Sequence, residues 1–85
     1  MKIELKFFAS VREALGVNTE ILELPGSVRT VGDLRAYLLG RGSSWAEVLA
    51  PHRALRMAVD QQMAGPDALL ADGCEVAFFP PVTGG

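Results

Sequence analysis

The end of the sequence holds the residues whose types and order best suit chemistry. Residues 78–85 read Phe-Phe-Pro-Pro-Val-Thr-Gly-Gly. Pro80 and Pro81 fix φ and donate no backbone hydrogen bond, so we expect them to end a strand and direct the chain away from the body. Gly84 and Gly85 lack Cβ and fit a slot too narrow for other residues. From Pro81 outward the segment reaches at most roughly 17 Å. It predicts an α-carboxylate presented to the active site of another protein, although many termini simply fray.

The reactive group in this reading is the terminal carboxylate of Gly85. An ionised carboxylate is a poor electrophile, so it must first be activated, for instance as an acyl-adenylate made by a protein that binds ATP. Attack by sulfur on that adenylate would give a thiocarboxylate, a soft nucleophile on a flexible arm. The partner would then supply proton transfer and charge stabilisation, while this chain would place the sulfur.

The rest of the chain predicts no active site of its own. His52, the single histidine, follows Pro51 in a predicted surface loop. Cys74 shares strand phase with apolar residues and precedes Glu75, which would not stabilise a thiolate, so we interpret it as a small core residue. Residues 40–42, Gly-Arg-Gly, lack the lysine and spacing of a phosphate loop. Without a second histidine or a cysteine cluster we predict no metal, and no cofactor bound by this chain.

Length and charge limit the class of protein. The chain has 85 residues, which predicts one domain, 1–85, with 80–85 as a flexible tail. Eight basic and ten acidic residues are well mixed, which argues against nucleic-acid binding and against a polybasic membrane anchor. No apolar run approaches the roughly 20 residues of a membrane span. The single cysteine and the strand-like start, in place of a signal peptide, predict a cytoplasmic protein.

Polarity patterns predict strands and helices in an α+β order. Ser10 is predicted to cap a first short helix in a capping box with Glu13, and Gly16 to end it. Thr30 is predicted to cap the main helix, and Ser44 a further short one. The predicted strands span residues 2–9, 19–24, 55–59, 61–64 and 74–79. The expected architecture is a mixed sheet of four to five strands packed on one main helix, with short helices beside it.

Two phenylalanines fall on polar strand faces. Phe8 shares its face with Lys6, and Phe79 shares its face with Glu75. Exposed aromatic residues often dominate interface energetics, so the two predict a contact patch, which Met63 could join. The alternative is that another segment of the chain covers them.

Three segments of the sequence together resemble the family of molybdopterin synthase small subunits. The matching segments are residues 7–13, Phe-Phe-Ala-Ser-Val-Arg-Glu, residues 72–73, Asp-Gly, and residues 75–85. The middle of the chain matches only in pattern. Two positions depart from the family: Cys74 stands where aspartate is common, and Asp60 where asparagine is frequent. The resemblance implies a β-grasp, ubiquitin-like fold.

The resemblance also implies a function and its residues. A C-terminal thiocarboxylate on Gly85, with Gly84 behind it, would donate sulfur to cyclic pyranopterin monophosphate and form the dithiolene of molybdopterin. An E1-like adenylyltransferase would use ATP to activate Gly85. The tail would then enter the large synthase subunit, which holds the catalytic residues, in a heterotetramer of two small and two large subunits. The residues implied to contact the partner are Phe8, Met63, Phe79, Pro80, Pro81, Val82 and Thr83.

Three other functions remain open at this stage. The chain could be another sulfur carrier on the same fold, such as that of thiamine thiazole synthesis, although such carriers usually lack the Phe-Phe-Ala-x-x-Arg-Glu opening. It could be a protein modifier that conjugates to lysines, which predicts isopeptide-linked adducts at Gly85. It could also be an inert interaction module, for which deleting Gly84 and Gly85 would change nothing.

Overall fold

The chain folds into one five-stranded sheet with three short helices, as seen in a computed structural model that describes residues 1–81. The elements are β1 Lys2–Phe7, α1 Ala9–Leu15, β2 Thr19–Glu23, α2 Val31–Leu39, α3 Ser43–Val48, β3 Arg56–Val59, β4 Gln62–Ala64 and β5 Glu75–Phe79. The α+β prediction and the upper strand count are therefore confirmed. No helix in this part of the chain has the length and apolar character to cross a membrane.

The last strand lies in the middle of the sheet. The strand order is β2-β1-β5-β3-β4, so β5 has a hydrogen-bonded neighbour on each side. It runs parallel to β1, with Leu5 beside Val76, and antiparallel to β3, with Met57 beside Phe78. The other pairs are antiparallel. Because β5 is central, the segment that follows it leaves from between two strands.

One face of the sheet is buried under the helices. Strand alternation turns one set of apolar side chains toward a shared core, and α2 contributes its own apolar face. The fully buried members of this core include Ile3, Leu5, Phe7, Leu34, Leu38, Val76 and Phe78. Trp45 of α3 packs edge-on against the ring of Phe7, with centroids 5.5 Å apart. Cys74 is buried, as predicted for a core residue.

The predicted cap of the main helix is correct. The Thr30 hydroxyl accepts from the Asp33 backbone N–H at 3.0 Å, and the Asp33 carboxylate accepts from the Thr30 N–H at 3.2 Å. Asp33 also accepts from the backbone N–H of Arg29 at 3.1 Å. The hydrogen bonds from Arg29 and Thr30, in that order of effect, lower the pKa of the Asp33 carboxyl.

The predicted caps of the two short helices are wrong. Helix α1 begins at Ala9 and α3 at Ser43, with Phe8 and Gly42 as N-caps and no side-chain cap bond in either. Both first residues adopt positive φ, 53° at Ala9 and 48° at Ser43. The chain turns into each helix two residues earlier than predicted. Ser10 and Ser44 therefore lie inside the first turn, where their hydroxyls do not occupy the capping position.

A polar clamp joins the second strand to the region of α3. The Arg41 guanidinium donates to both carboxylate oxygens of Glu20, with one bond of 2.9 Å from Nη1. The same guanidinium lies over the Trp45 ring, 4.4 Å from its centroid. The hydrogen bond from Arg41 is the main cause that lowers the pKa of Glu20. The clamp therefore holds Trp45 over the core beside Phe7.

Candidate partner-binding face and C-terminal segment

The sheet face opposite the helices is free of covering elements in the part of the chain that the structure describes. We call this face the outer face. Its positions follow from the strand registers and from the alternation that buries the other set. The outer-face residues discussed below are Lys2, Glu4, Lys6, Phe8, Glu23, Arg56, Ala58, Met63, Glu75, Ala77 and Phe79.

The centre of the outer face is small and apolar. One row crosses the sheet, in which Lys6 lies beside Ala77, Ala77 beside Ala58, and Ala58 beside Met63. The two alanines form a floor that is itself buried, with 7% of Ala58 and 6% of Ala77 exposed, whereas Met63 at the sheet edge is 65% exposed. Such a floor with a protruding apolar rim suits packing against a partner.

Phe8 and Phe79 come together at the end of β5. Phe7 lies beside Phe78 in the parallel register, so the residues that follow them, Phe8 and Phe79, occupy neighbouring positions. The backbone N–H of Phe8 donates to the carbonyl oxygen of Phe78 at 3.3 Å, which extends the pairing by one residue. Phe8 is 44% exposed, and Phe79 is half-buried. The predicted position of the two on one sheet face is thus confirmed, although only Phe8 is exposed, and Met63 lies on the same face two strands from Phe79.

Sequence reasoning missed two outer-face residues, Arg56 and Ala58. Arg56 lies directly opposite Phe79 on β3, and Ala58 lies opposite Ala77. The signal was present in part, because Arg56 and Ala58 alternate with the core residue Met57. Their position beside Phe79, however, depends on the pairing of β3 with β5, which no local pattern shows.

The proline pair follows the strand without a gap. β5 ends at Phe79, and Pro80 and Pro81 lie outside any regular element, both partly buried. This agrees with the prediction that the prolines end the strand. The predicted roles of Val82, Thr83, Gly84 and Gly85 lie outside residues 1–81 and stay predictions.

A groove beside Pro80 contains no combination of side chains suited to catalysis. It has a volume of about 580 Å³ and lies between α1 and α3. Its charged side chains, Glu47 and Arg53, form an exposed ion pair with each other at 3.7 Å. His52 is exposed in the turn nearby. Among residues 1–81 no group of three or more histidine, cysteine or acidic side chains is placed to hold a metal ion. The candidate functional features of residues 1–81 are therefore the outer face and the start of the C-terminal tail at Pro80, which we call the tail root.

The sequence is similar to those of known sulfur carrier subunits. A family model described as the ThiS family matches residues 5–85. The molybdopterin synthase sulfur carrier subunit of Escherichia coli (strain K12) is 43% identical over 83 residues, which cover 98% of this chain and 99% of that protein. The subunit of the same name from Haemophilus influenzae is 35% identical over a stretch with the same coverage.

Solved structures of similar shape extend the comparison. A putative molybdopterin converting factor, subunit 1, from Pyrococcus furiosus has a TM-score of 0.78 at 29% identity and covers 96% of this chain and 99% of its own. Small archaeal modifier protein 1 from Haloferax volcanii has a TM-score of 0.75 at 26% identity, covering 95% and 98% respectively. These neighbours support the predicted β-grasp, ubiquitin-like fold. With a family match over almost its whole length and close full-length relatives, the chain belongs to the ThiS family.

Proposed function

We propose that this chain is the sulfur-carrier subunit of a molybdopterin synthase. The observation that carries the proposal is geometric: the central strand β5 ends at an aromatic pair, the exposed Phe8 and the half-buried Phe79, and leads directly into the tail. A partner that covers the pair would therefore also contact the tail root at Pro80. The full-length similarity to sulfur carrier subunits supports the choice of reaction.

The proposed chemistry takes place at Gly85. An E1-like enzyme joins its carboxylate to AMP from ATP, with release of pyrophosphate, and a sulfur nucleophile then displaces AMP to leave a thiocarboxylate. The thiocarboxylate sulfur attacks a carbon of cyclic pyranopterin monophosphate, and a C–S bond forms as a C–O bond of that carbon breaks. Water then hydrolyses the resulting thioester, which leaves the sulfur on the product and returns the carboxylate of Gly85. Two such transfers supply the two sulfurs of the dithiolene. This chain binds no cofactor in the scheme, since ATP belongs to the activating enzyme.

The proposed partner is the large synthase subunit. Phe8, Met63 and Phe79 would pack against it, while residues 80–85 would extend into its active site. The slim Gly84 and Gly85 would pass a narrow entrance that a Cβ would block. A heterotetramer of two small and two large subunits in the cytoplasm completes the proposal. The support from this chain is the position of the apolar patch at the tail root.

Deletion of Gly84 and Gly85 tests the proposal. The full-length and shortened chains are each combined with the large subunit, the E1-like enzyme, ATP and a sulfur source, and molybdopterin is measured. We expect product only with the full-length chain. The C-terminal peptide from the active mixture should show oxygen replaced by sulfur. It must be isolated, because oxidation of a methionine changes the intact mass by nearly the same amount. Molybdopterin formed by the shortened chain would refute the proposal.

A second candidate function is protein modification through Gly85. The observation in its favour is the likeness to small archaeal modifier protein 1 at 26% identity. This function predicts isopeptide-linked adducts on lysines of other proteins as the main product in cell extracts. The higher identity to sulfur carrier subunits favours the first proposal, which predicts the thiocarboxylate as the main product. The same relatives favour molybdopterin synthesis over thiamine thiazole synthesis.

A further inference from the structure

Charge is distributed unevenly along the strands of the outer face. At the end far from the tail, Glu4 lies beside Glu75 in the parallel register. Asp60 adjoins them, since its carboxylate accepts from the Glu75 backbone N–H at 3.0 Å. At the tail end, Arg56 lies opposite Phe79. Lys2 and Glu23 lie opposite each other at the same end, and their charges cancel. The face is therefore acidic in balance at one end and carries a guanidinium at the other, next to the aromatic pair.

Arg56 is the cation at the tail end of this face, and it has no ion-pair partner among residues 1–81. Lys6 is paired with Glu75, with Nζ 3.3 Å from a carboxylate oxygen. Arg56 is exposed and forms no ion pair or side-chain hydrogen bond within that part of the chain, whereas Arg35, Arg41 and Arg53 do. Residues 1–81 thus leave the guanidinium without a charged partner.

Because of its position, Arg56 must change its surroundings when a partner covers Phe79. Residues directly opposite each other on antiparallel strands have Cβ atoms roughly 4.5–5.5 Å apart, so a surface that covers Phe79 also meets the Arg56 side chain. A cation that loses water without gaining a partner is strongly unfavourable. A guanidinium beside a carboxylate instead gains two parallel hydrogen bonds with defined geometry. The covering surface must therefore offer a carboxylate or leave Arg56 in water.

We propose that Arg56 pairs with an aspartate or glutamate of the large subunit and fixes the orientation in which that subunit docks. The inference rests on the proposed function, because it takes the large subunit as the occupant of the outer face. The opposite charge at the far end, from Glu4, Glu75 and Asp60, disfavours the reversed orientation, in which the partner carboxylate would meet these acids. The correct orientation is the one that places the tail at the entrance of the partner active site.

Binding of charge variants to the large subunit tests the proposal. Dissociation constants of the full-length chain are measured by titration calorimetry between about 50 mM and about 500 mM salt. We expect Arg56→Leu to bind roughly 2–5-fold more weakly at low salt and to lose most of the salt dependence. We expect Arg56→Glu to bind at least about tenfold more weakly, since it sets like charges against each other. Arg29→Glu, on the loop before α2 and away from the outer face, makes the same change in net charge and should bind as the unaltered chain does.

A reciprocal change identifies the partner residue. One aspartate or glutamate of the large subunit, when changed to lysine, should restore the affinity lost by Arg56→Glu. Circular dichroism confirms that each variant is folded, and Arg56→Leu serves if the glutamate variant is not. Affinity and salt dependence of Arg56→Leu equal to those of the unaltered chain would overturn the inference.

Two other experimental outcomes would also overturn the inference about Arg56. Equal weakening by Arg29→Glu would show a general charge effect and overturn the inference. If the free chain dimerises and Arg56→Glu abolishes that dimer, a second copy occupies the outer face, and the inference is again wrong. Failure here leaves the proposed function standing as long as deletion of Gly84 and Gly85 still abolishes sulfur transfer.

Discussion

Removal of the Phe8 side chain should weaken docking without removing the tail. Phe8 is 44% exposed in the free chain. Phenylalanine presents roughly 200 Å² of surface, so covering the exposed part removes about 90 Å² from water. At about 25 cal/mol per Å² this is worth about 2 kcal/mol, and Phe8→Ala should raise the dissociation constant for the large subunit about 30-fold.

The chain contains a matched control for this change. Tyr37 is 40% exposed, almost the same fraction as Phe8, but it lies on α2 at the helical side of the molecule. Tyr37→Ala removes an aromatic ring of similar size and exposure and should leave the dissociation constant within about twofold. Titration calorimetry of both variants against the same large subunit gives the comparison. Thermal unfolding shows whether each is folded, since the rest of Phe8 packs within the monomer.

Two results of this experiment would contradict the argument that Phe8 lies in the docking surface. If Phe8→Ala binds within about threefold of the unaltered chain, the outer face is not the docking surface, because a fully covered aromatic side chain cannot be lost at so small a cost. If Tyr37→Ala is the weaker binder, the partner uses the helical side. In either case the burial argument for Phe8 fails.

Two predictions concern stability. Gln61 has a φ of +68° in the turn between β3 and β4, a conformation that costs an L-residue about 1–2 kcal/mol, so Gln61→Gly should raise the Tm by about 3 °C after the entropy of glycine is counted. A lower Tm would contradict that geometry. Arg41 lowers the folded pKa of Glu20, so this stabilisation is complete above the unfolded pKa of Glu20 and is lost as pH falls through the lower folded value. Urea unfolding should therefore show Glu20→Gln less stable than the unaltered chain at about pH 7, with the gap shrinking as the pH falls below the unfolded pKa of Glu20. A constant gap would refute the argument.

Local sequence patterns predicted the helices and strands but not the first residue of every helix. Thr30 and Ser10 each precede an acidic residue by three positions, and both fit a capping box. Only Thr30 forms one. At Ser10 the competing interaction is long-range, because the Phe8 N–H pairs with the Phe78 carbonyl oxygen and carries the strand to Phe8, after which the helix begins at once. Sheet pairing thus decided a boundary that the local sequence left ambiguous.

Strand alternation located the aromatic part of the candidate site and could not locate the charged part. The phase of Phe8 and Phe79 against their neighbours was sufficient, since period-two alternation is a local property. Arg56 is adjacent to Phe79 only because β5 enters the sheet between β1 and β3. That arrangement depends on contacts between residues far apart in sequence, which are not encoded in any short window.

The same arrangement links docking to delivery of the tail. A tail that followed an edge strand would leave beside one neighbour, and a partner could reach it from the open side. Here β5 ends between the end of β1 and the start of β3, with Phe8 on one side of Phe79 and Arg56 on the other. A partner that receives the tail must therefore cover both neighbours. Affinity and orientation would then come from residues of the rigid sheet, and the reacting glycine would remain free to change its chemical state without loss of the docking surface.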